Sequence, residues 1–535
     1  MSVPKAEIRR RPSMAFFAVL AMAMVVMSYA LVLLLAAVSV YLPYFYLSIS
    51  DSPNMENLSA FLFGIIVAVA IVRSVIPRQD KFQAPGMLLE RSAHPRLFAE
   101  FENIAHAFSE PLPREVYLIA EPNAFVADRA GVTGFGSRRI MGLGLPLVSL
   151  LTVSQFRAVL AHEFAHYYGG DTSLGPWVYK TKTSMVRVFE NIGAFRARIP
   201  PRLLLLGIMY SAVTRLLKWY FGAFLRVISL ISRKQECRAD ELACFIAGRK
   251  NLIHGLQSSH NAAVVWNSYW NNEIAPLLDE GCLPAIGDGF RRFLAVPAIS
   301  AGIGINLSQR LQEQRTQPHD THPPLRDRIA AALNFPESSA PQNTEPASSL
   351  LDNLPATELK FVETYVPFVP PGSLNYVAWD DVARRVTIPS WQKFVNEYSE
   401  RLQGVTAGLV PDHLSKFLAI GSRIRDPKGW TLSPPQSTAR AGSLFASAVA
   451  LGMIRTGWEL RVQPGVFRMR CGDQEFNPFE AVNKLMAGNL SRDDWQARCH
   501  ELGILDLLLL PGAETSAQIS SALQTELFNV EVPKT

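Results

Sequence analysis

The sequence predicts a mainly α-helical protein with a small β-sheet, in which two apolar membrane segments precede a folded domain. Three observations support this prediction. Residues 12–50 contain no charged side chain, whereas a helix needs about 20 apolar residues to cross the hydrocarbon of a bilayer. Apolar residues recur at helical spacing around position 160. A stretch rich in Pro, Ser, Asn and Thr near residue 340 then separates off a final region of mixed helical and strand-like pattern.

Two transmembrane helices, at about 14–42 and 58–76, are predicted within an N-terminal membrane anchor, residues 1–84. The first run ends in aromatic residues, Tyr41 to Tyr46, as is typical of a membrane interface. A cleaved signal peptide is the alternative. It is disfavoured because the run is longer than the apolar core of a signal peptide and a second apolar run follows closely.

The basic residues predict the orientation of this anchor. The loop between the two segments holds Asp51 and Glu56 but no Lys or Arg. The positive charges lie at the other ends: Lys5, Arg9, Arg10, Arg11, Arg73, Arg78 and Lys81. By the positive-inside rule, both ends of the anchor lie in the cytoplasm, and so does the domain that follows.

The segment His162-Glu163-Phe164-Ala165-His166 is an H-E-x-x-H motif. Residues four apart share one face of a helix, so both imidazoles can bind one metal ion, and the intervening glutamate can accept a proton from water. Thr152 and Gln155 form a plausible capping box that starts this helix. The alternative is a surface helix with two unrelated histidines.

A third ligand is needed for a catalytic zinc site, and Glu236 is the candidate. It lies four residues before Asp240, so both carboxylates share a helix face, and Asp240 can orient a histidine ligand. The alternative is an ordinary charged face. A later segment, Thr321-His-Pro-Pro-Leu-Arg-Asp-Arg328, offers His322 and an arginine that could stabilise an oxyanion, or could simply cap a helix.

These motifs together resemble those of the membrane-associated zinc endopeptidases typified by HtpX and the CAAX prenyl proteases, which are gluzincins. The resemblance covers about residues 85–335. It rests on the ordered set of H-E-x-x-H followed by Gly170-Asp171, E-x-x-x-D, and His322-Pro323-Pro324 with Arg328. Asn123-Ala124-Phe125 also resembles the N-A-F segment of the family.

The resemblance implies a zincin-like metalloprotease domain at residues 85–335 that cleaves protein or peptide substrates. Zn²⁺ would be held by His162, His166 and Glu236, with Glu163 as the general base. The other residues implied are His322 and Arg328, which would support the transition state or the substrate wall, and Asp240 and Asp171, which would lie behind the ligands. It also implies a bacterial inner-membrane location and a role in membrane protein quality control.

The substrate would add to the edge of a strand near Asn123 to Ala127, contacting Asn123, Ala124 and Phe125. The continuation Ala127-Asp128-Arg129-Ala130 departs from the more apolar or glycine-containing continuation usual in the family.

A third apolar stretch, residues 203–231, contains Arg215, Lys218 and Arg226. Each would cost about 3 kcal/mol at the centre of a bilayer. Because His166 and Glu236 must meet on one ion, the chain between them must cross an even number of times, and 29 residues are too short for two crossings. No span is predicted here, but an amphipathic helix or shallow hairpin at the membrane, or a core helix.

The remaining chain is predicted to form a linker, residues 336–356, and a C-terminal α/β accessory domain of unknown role, residues 357–535. The net charge of +6 fits a lipid surface better than nucleic acid, which we do not expect as a partner. Five irregularly spaced cysteines predict no disulfide framework. A homo-oligomer is left open. The alternatives to a quality-control protease are a CAAX-type processing protease and a proteolytically silent membrane scaffold with a structural metal.

Overall fold

The computed structural model describes residues 12–49, 55–76, 82–129, 138–168, 175–196, 204–313, 323–337, 341–419 and 433–510. These residues are mostly helical with small sheets, as predicted. The helices are α1 Pro12–Ser48, α2 Met55–Val75, α3 Pro95–Phe108, α4 Leu145–Leu150, α5 Val153–Ala165, α6 Gly175–Arg196, α7 Leu204–Ala247, α8 Arg249–Tyr269, α9 Ala275–Asp279, α10 Ile286–Ala295, α11 Pro297–Glu313, α12 Leu325–Ala332, α13 Leu354–Tyr365, α14 Ile388–Glu397, α15 Ser399–Leu402, α16 Val410–Ala419, α17 Pro434–Arg455, α18 Pro478–Met486 and α19 Arg492–Glu501. The strands are β1 Met87–Leu89, β2 Glu115–Ile119, β3 Ala124–Arg129, β4 Arg138–Gly144, β5 Cys282–Pro284, β6 Asn375–Val377, β7 Glu459–Gln463, β8 Val466–Cys471 and β9 Gln474–Phe476.

The chain divides into two compact units. Unit 1 comprises the described residues of 1–267 and 301–370, and unit 2 those of 268–300 and 371–535. This division differs from the predicted boundaries at 85–335, 336–356 and 357–535. Residues 268–300 belong with the C-terminal part of the chain, and the helix at 354–365 belongs with unit 1.

Helices α1 and α2 contain the two predicted membrane segments, 14–42 and 58–76. They pack side by side, and a Cβ added to Gly64 would overlap the carbonyl oxygen of Ser39. A small residue therefore allows the two helices to approach closely, as in membrane helix pairs. Residues Val19–Ser48 of α1 are long and apolar enough to cross a membrane, whereas the apolar part of α2, Phe61–Val75, is shorter.

Helices α6 and α7 complete a four-helix bundle with α1 and α2. Met185, Val188 and Leu217 are buried in one cluster with residues of the first two helices. Polar contacts also cross the bundle, because Asn191 Nδ2 donates to Ser74 Oγ at 2.7 Å and Tyr220 Oη donates to the Met24 carbonyl at 2.6 Å. Residues 204–231 are thus the first part of one long helix that packs on the anchor, and α6, which the sequence did not suggest, is its partner.

A four-stranded sheet in the order β1-β2-β4-β3 borders the helix that carries the H-E-x-x-H motif. β2 and β4 are parallel, and β3 runs antiparallel to β4. Within the described part of the chain, no strand pairs with the outer side of β3. β3 packs against α5, so an edge strand lies beside the motif.

Residues 341–350, here called the strap, run across the start of α5. The Val153 amide donates to the Glu345 carbonyl at 2.8 Å, and the Ala347 amide donates to the Leu151 carbonyl at 2.8 Å. An isolated antiparallel bridge joins Thr152 and Pro346. Residues 343–347 of the predicted linker, 336–356, therefore pack against the start of α5.

Unit 2 is built around α17. Its residues Leu444, Phe445 and Val449 are buried in a large apolar core together with Trp495, and β7, β8 and β9 form an antiparallel sheet. α17 is also long and apolar enough to cross a membrane, but most of its apolar stretch is buried inside the unit. The burial favours a core helix rather than a span.

Candidate metal centre

The motif helix α5 is strongly specified by its own sequence. Thr152 Oγ1 accepts from the Gln155 amide at 3.3 Å, and the Gln155 side chain accepts from the Thr152 amide at 3.1 Å. This reciprocal pair is the predicted capping box. The apolar residues at helical spacing, Phe156, Leu160 and Phe164, are at most 1% exposed. These residues bury one face of α5 in the core, and the two histidines lie at its C-terminal end.

His162, His166 and Glu236 converge at one point, although 70 residues separate the histidines from the glutamate. Nε2 of His162 lies 3.3 Å from Nε2 of His166. The Glu236 carboxylate lies 3.4 Å from the first nitrogen and 3.6 Å from the second. α5 supplies the histidine pair and α7 supplies the carboxylate, and these two helices pack against each other.

This donor set fits a zinc ion. Tetrahedral bonds of about 2.0–2.2 Å place ligand atoms about 3.3–3.6 Å apart, and two imidazoles with one carboxylate are ligands that zinc prefers. The distances among the three side chains already match that spacing. Within the described residues, these are the His, Cys, Asp and Glu side chains grouped closely enough to hold a metal.

Asp240 holds the other nitrogen of His162. Its Oδ1 lies 3.0 Å from His162 Nδ1, and both side chains are almost completely buried. Burial lowers the pKa of His162, but the hydrogen bonds with Asp240 and Glu236 outweigh it and raise the pKa to about 9. An imidazole held this way has a fixed ring orientation, with Nε2 directed at the shared point.

Arg328, from α12, contacts Asp240 and Glu236. Its Nε and Nη2 donate to the two carboxylate oxygens of Asp240 at 2.9 and 2.7 Å, and its Nη1 lies 3.6 Å from Glu236 Oε2. Burial raises the pKa of Asp240, but the hydrogen bond from Arg328 outweighs it, so that the pKa lies below its usual value. Asp240 therefore carries its negative charge, and Arg328 contacts Asp240, His162 and Glu236.

One side of the cluster remains open to solvent. The His166 side chain is 25% exposed, against 9% for His162 and 5% for Glu236. Glu163 is also partly exposed. A catalytic metal needs such an open position, whereas a purely structural site is closed by protein ligands.

The predicted substrate residues lie at the start of β3. Asn123 is exposed, Ala124 is buried, and Phe125 packs in a cluster with Tyr117 and Ile140. Of the three side chains, that of Asn123 is accessible. The backbone at the outer edge of β3, which pairs with no other strand in the described residues, is available for hydrogen bonds to a peptide.

Two predicted residues, Asp171 and His322, lie outside the described residues. The sequence did not reveal the ion pair between Arg157 and Glu100, in which both nitrogen–oxygen distances are 2.7 Å. Nor did it reveal that the Arg139 guanidinium lies 3.7 Å over the ring of Tyr167. Both contacts join residues far apart in the chain, so no local pattern could have indicated them.

Comparisons with known proteins support the resemblance to membrane-associated zinc endopeptidases. Residues 91–335 match the sequence model of peptidase family M48, which confirms the resemblance inferred from the motifs. Protease HtpX of Idiomarina loihiensis is 28% identical over 171 residues, which cover 30% of this chain and 55% of the relative. Protease HtpX of Xylella fastidiosa is 27% identical over 198 residues, which cover 35% of this chain and 63% of the relative.

The chain thus spans about 55–63% of the length of these two relatives. Among solved structures, the crystal structure of S. mikatae Ste24p aligns with 60% of this chain and 66% of its own. Its sequence identity is 15% and its TM-score 0.24, which is too low to support an argument about the fold.

Proposed function

Because residues 91–335 match the sequence model of peptidase family M48, we propose that this protein is a membrane-anchored, zinc-dependent endopeptidase that hydrolyses peptide bonds in protein substrates. The observation that carries the proposal is the convergence of His162, His166 and Glu236 to within 4.8 Å of one another. Glu163 lies beside them on the same helix, and one side of the cluster is open.

In the proposed reaction, His162, His166 and Glu236 hold the metal. Bound zinc would supply a Lewis acid that polarises the scissile carbonyl and lowers the pKa of the attacking water. Glu163 accepts the proton of that water and donates it to the leaving amine. Asp240 and Arg328 fix the orientation of His162 throughout, because they occupy its second nitrogen and the space behind it.

The substrate would bind as an extended strand along β3. The outer edge of β3 is unpaired within the described residues, and main-chain hydrogen bonds to such an edge give affinity without demanding particular side chains. This mode suits a protease that acts on unfolded segments. It fits the proposed role in the quality control of membrane proteins.

The anchor places the enzyme at a bilayer. α1 and α2 supply the apolar surface, and the distribution of basic residues around them orients the protease domain toward the cytoplasm. We propose a bacterial inner-membrane location on this basis and from the HtpX relatives.

The proposal predicts that Glu163→Gln abolishes proteolysis but retains zinc, since the ligands are untouched and only the proton acceptor is lost. His166→Gln should lose both. Purified full-length wild type and both variants would be compared in detergent for zinc content and for cleavage of an unfolded protein such as casein. Glu241→Gln, on the same helix as Glu236 but outside the cluster, serves as the matched control. Wild-type cleavage rates in the Glu163→Gln protein would refute the mechanism.

A further inference from the structure

We propose that the strap, together with Arg249 and Asn251, positions α5 relative to α7 and thereby sets the spacing of the metal ligands. The strap lies beyond residue 335, where the family match ends. The expected change in metal binding is independent of the proposed function, and only the expected change in kcat rests on it.

The strap completes the N-terminus of α5. The first amides of a helix have no partner within the helix. Here the Ser154 amide donates to the Asn343 carbonyl at 3.1 Å, and the Asn343 amide donates back to Ser154 Oγ at 2.7 Å. With the bond from Val153 to Glu345 and the capping box, the first three amides of α5 all have partners.

The same segment is held at the C-terminal end of α7. Asn251 Nδ2 donates to the carbonyl of Ala247, the last residue of α7, at 2.6 Å and to Gln342 Oε1 at 3.0 Å. Arg249 Nη1 donates at 3.1 Å to the carbonyls of Leu333 and Phe335, which lead toward the strap. One stretch of chain therefore joins the start of the histidine-bearing helix to the end of the glutamate-bearing helix.

These contacts lie away from the ligands but act on them through rigid helices. His162 is about 14 Å along α5 from Val153, and Glu236 is about 17 Å along α7 from Ala247, at 1.5 Å per residue. Metal sites tolerate ligand displacements of only about 0.2 Å. A small rotation of either helix end would therefore disturb the spacing of 3.3–3.6 Å among the ligand atoms.

The test compares Ser154→Ala and Asn251→Leu with Ser259→Ala in the full-length protein. Ser259 Oγ donates to Gly255 within its own helix at 2.8 Å and does not touch the strap. Cobalt would be titrated into each metal-free protein, and its absorption spectrum recorded. In Ser154→Ala and Asn251→Leu we expect the affinity for cobalt to be about tenfold weaker and the absorption spectrum to be altered. In Ser259→Ala the affinity and the spectrum should be those of the wild type. In casein cleavage, kcat should fall while KM stays constant, because β3 is intact.

A second pair covers the case in which a strap variant does not fold. Arg249→Met removes the donors to the Leu333 and Phe335 carbonyls, whereas Arg249→Lys keeps one, so lysine should restore part of the cobalt affinity that methionine loses. A lowered melting temperature with wild-type cobalt affinity and spectrum in every strap variant would show a purely structural contact and overturn the inference. Altered cobalt binding in proteins that never cleave casein would uphold it and refute only the proposed proteolysis.

Discussion

Arg328 contacts the candidate site through Asp240 and His162. The sequence associated it with the transition state or the substrate wall. In the structure its guanidinium is bound to Asp240 through two hydrogen bonds and lies behind His162. The contacts therefore favour a positioning role, in which the arginine keeps a buried carboxylate charged so that it can hold an imidazole.

Arg328→Gln should weaken zinc binding by a factor of about 10–100, because Asp240 loses its partner and releases His162. It should also destabilise the fold by about 3 kcal/mol, the order of the loss when one member of a buried ion pair is removed. Zinc affinity and chemical denaturation would measure the two effects. Arg326→Gln is the matched control, since Arg326 pairs with Asp327 at the surface. Equal zinc affinities in the two variants would contradict the assigned role.

His94 should make the stability of the protein depend on pH. Burial lowers its pKa below the ordinary value of 6.5, although Asp352 acts in the opposite direction. As pH falls below 6.5, the unfolded chain therefore binds the proton first, and the free energy of unfolding decreases until His94 is also protonated in the folded state. Urea denaturation between pH 7.5 and 5.5 should show a smaller decrease in His94→Gln than in wild type. Identical curves in His94→Gln and wild type would count against the assignment.

At the scale of elements, the contact between β3 and β4 depends on a glycine. A Cβ at Gly142 would lie 2.7 Å from Cζ of Phe125, so Gly142→Ala should push the ring and the edge strand outward. The overpacking costs about 1–3 kcal/mol, and KM for an extended peptide should rise because the substrate edge moves. Phe125→Leu in the same protein should restore part of the affinity. Gly222→Ala, where a Cβ meets nothing within 4 Å, is the control. An unchanged KM in Gly142→Ala would argue against substrate binding along β3.

Elements with strong local signals were predictable from the sequence. α5 was located by its capping box and by the apolar spacing of Phe156, Leu160 and Phe164, and α1 by its uncharged length. α6 was missed because its two lysines, two arginines and one glutamate obscure the apolar pattern of the face that packs on α1 and α2. The strap was interpreted as a linker because its Pro, Ser and Asn residues are typical of turns. It is held by hydrogen bonds to residues far away in the chain, among them Ser154 and Asn251.

The candidate site was predictable to the extent that its motifs have fixed spacing. H-E-x-x-H and E-x-x-x-D indicate which side chains share a helix face, and those side chains do converge. The residues that hold the arrangement together follow no such rule. The bond between Ser154 and Asn343 spans 189 positions, and the contact between Arg328 and His162 spans 166, so tertiary structure alone brings them together.

For the whole molecule, the most consequential feature is the single helix α7. It is 44 residues long, packs on the membrane helices through Leu217 and Phe224, and carries Glu236 in its second half. Exposed Lys218 and Trp219 lie among the residues that pack on α1 and α2, and exposed Arg226 lies between Phe224 and Glu236. Such residues favour the headgroup layer. The surface that packs on α1 and α2 and the candidate metal ligand Glu236 therefore belong to one continuous helix.

Helix α7 should therefore set the distance from the bilayer at which a substrate is cleaved. Glu236 follows Arg226 by ten positions, which is about 15 Å along a helix, and an extended chain covers about 3.3 Å per residue. A substrate anchored in the same bilayer should therefore be spared within about its first five residues outside the lipid and cleaved beyond them. Mass spectrometry of fragments from an unfolded test protein, with and without a transmembrane tether in proteoliposomes, would check this, and identical cleavage maps would contradict it. Such an enzyme would choose bonds by their distance from the lipid rather than by their flanking side chains.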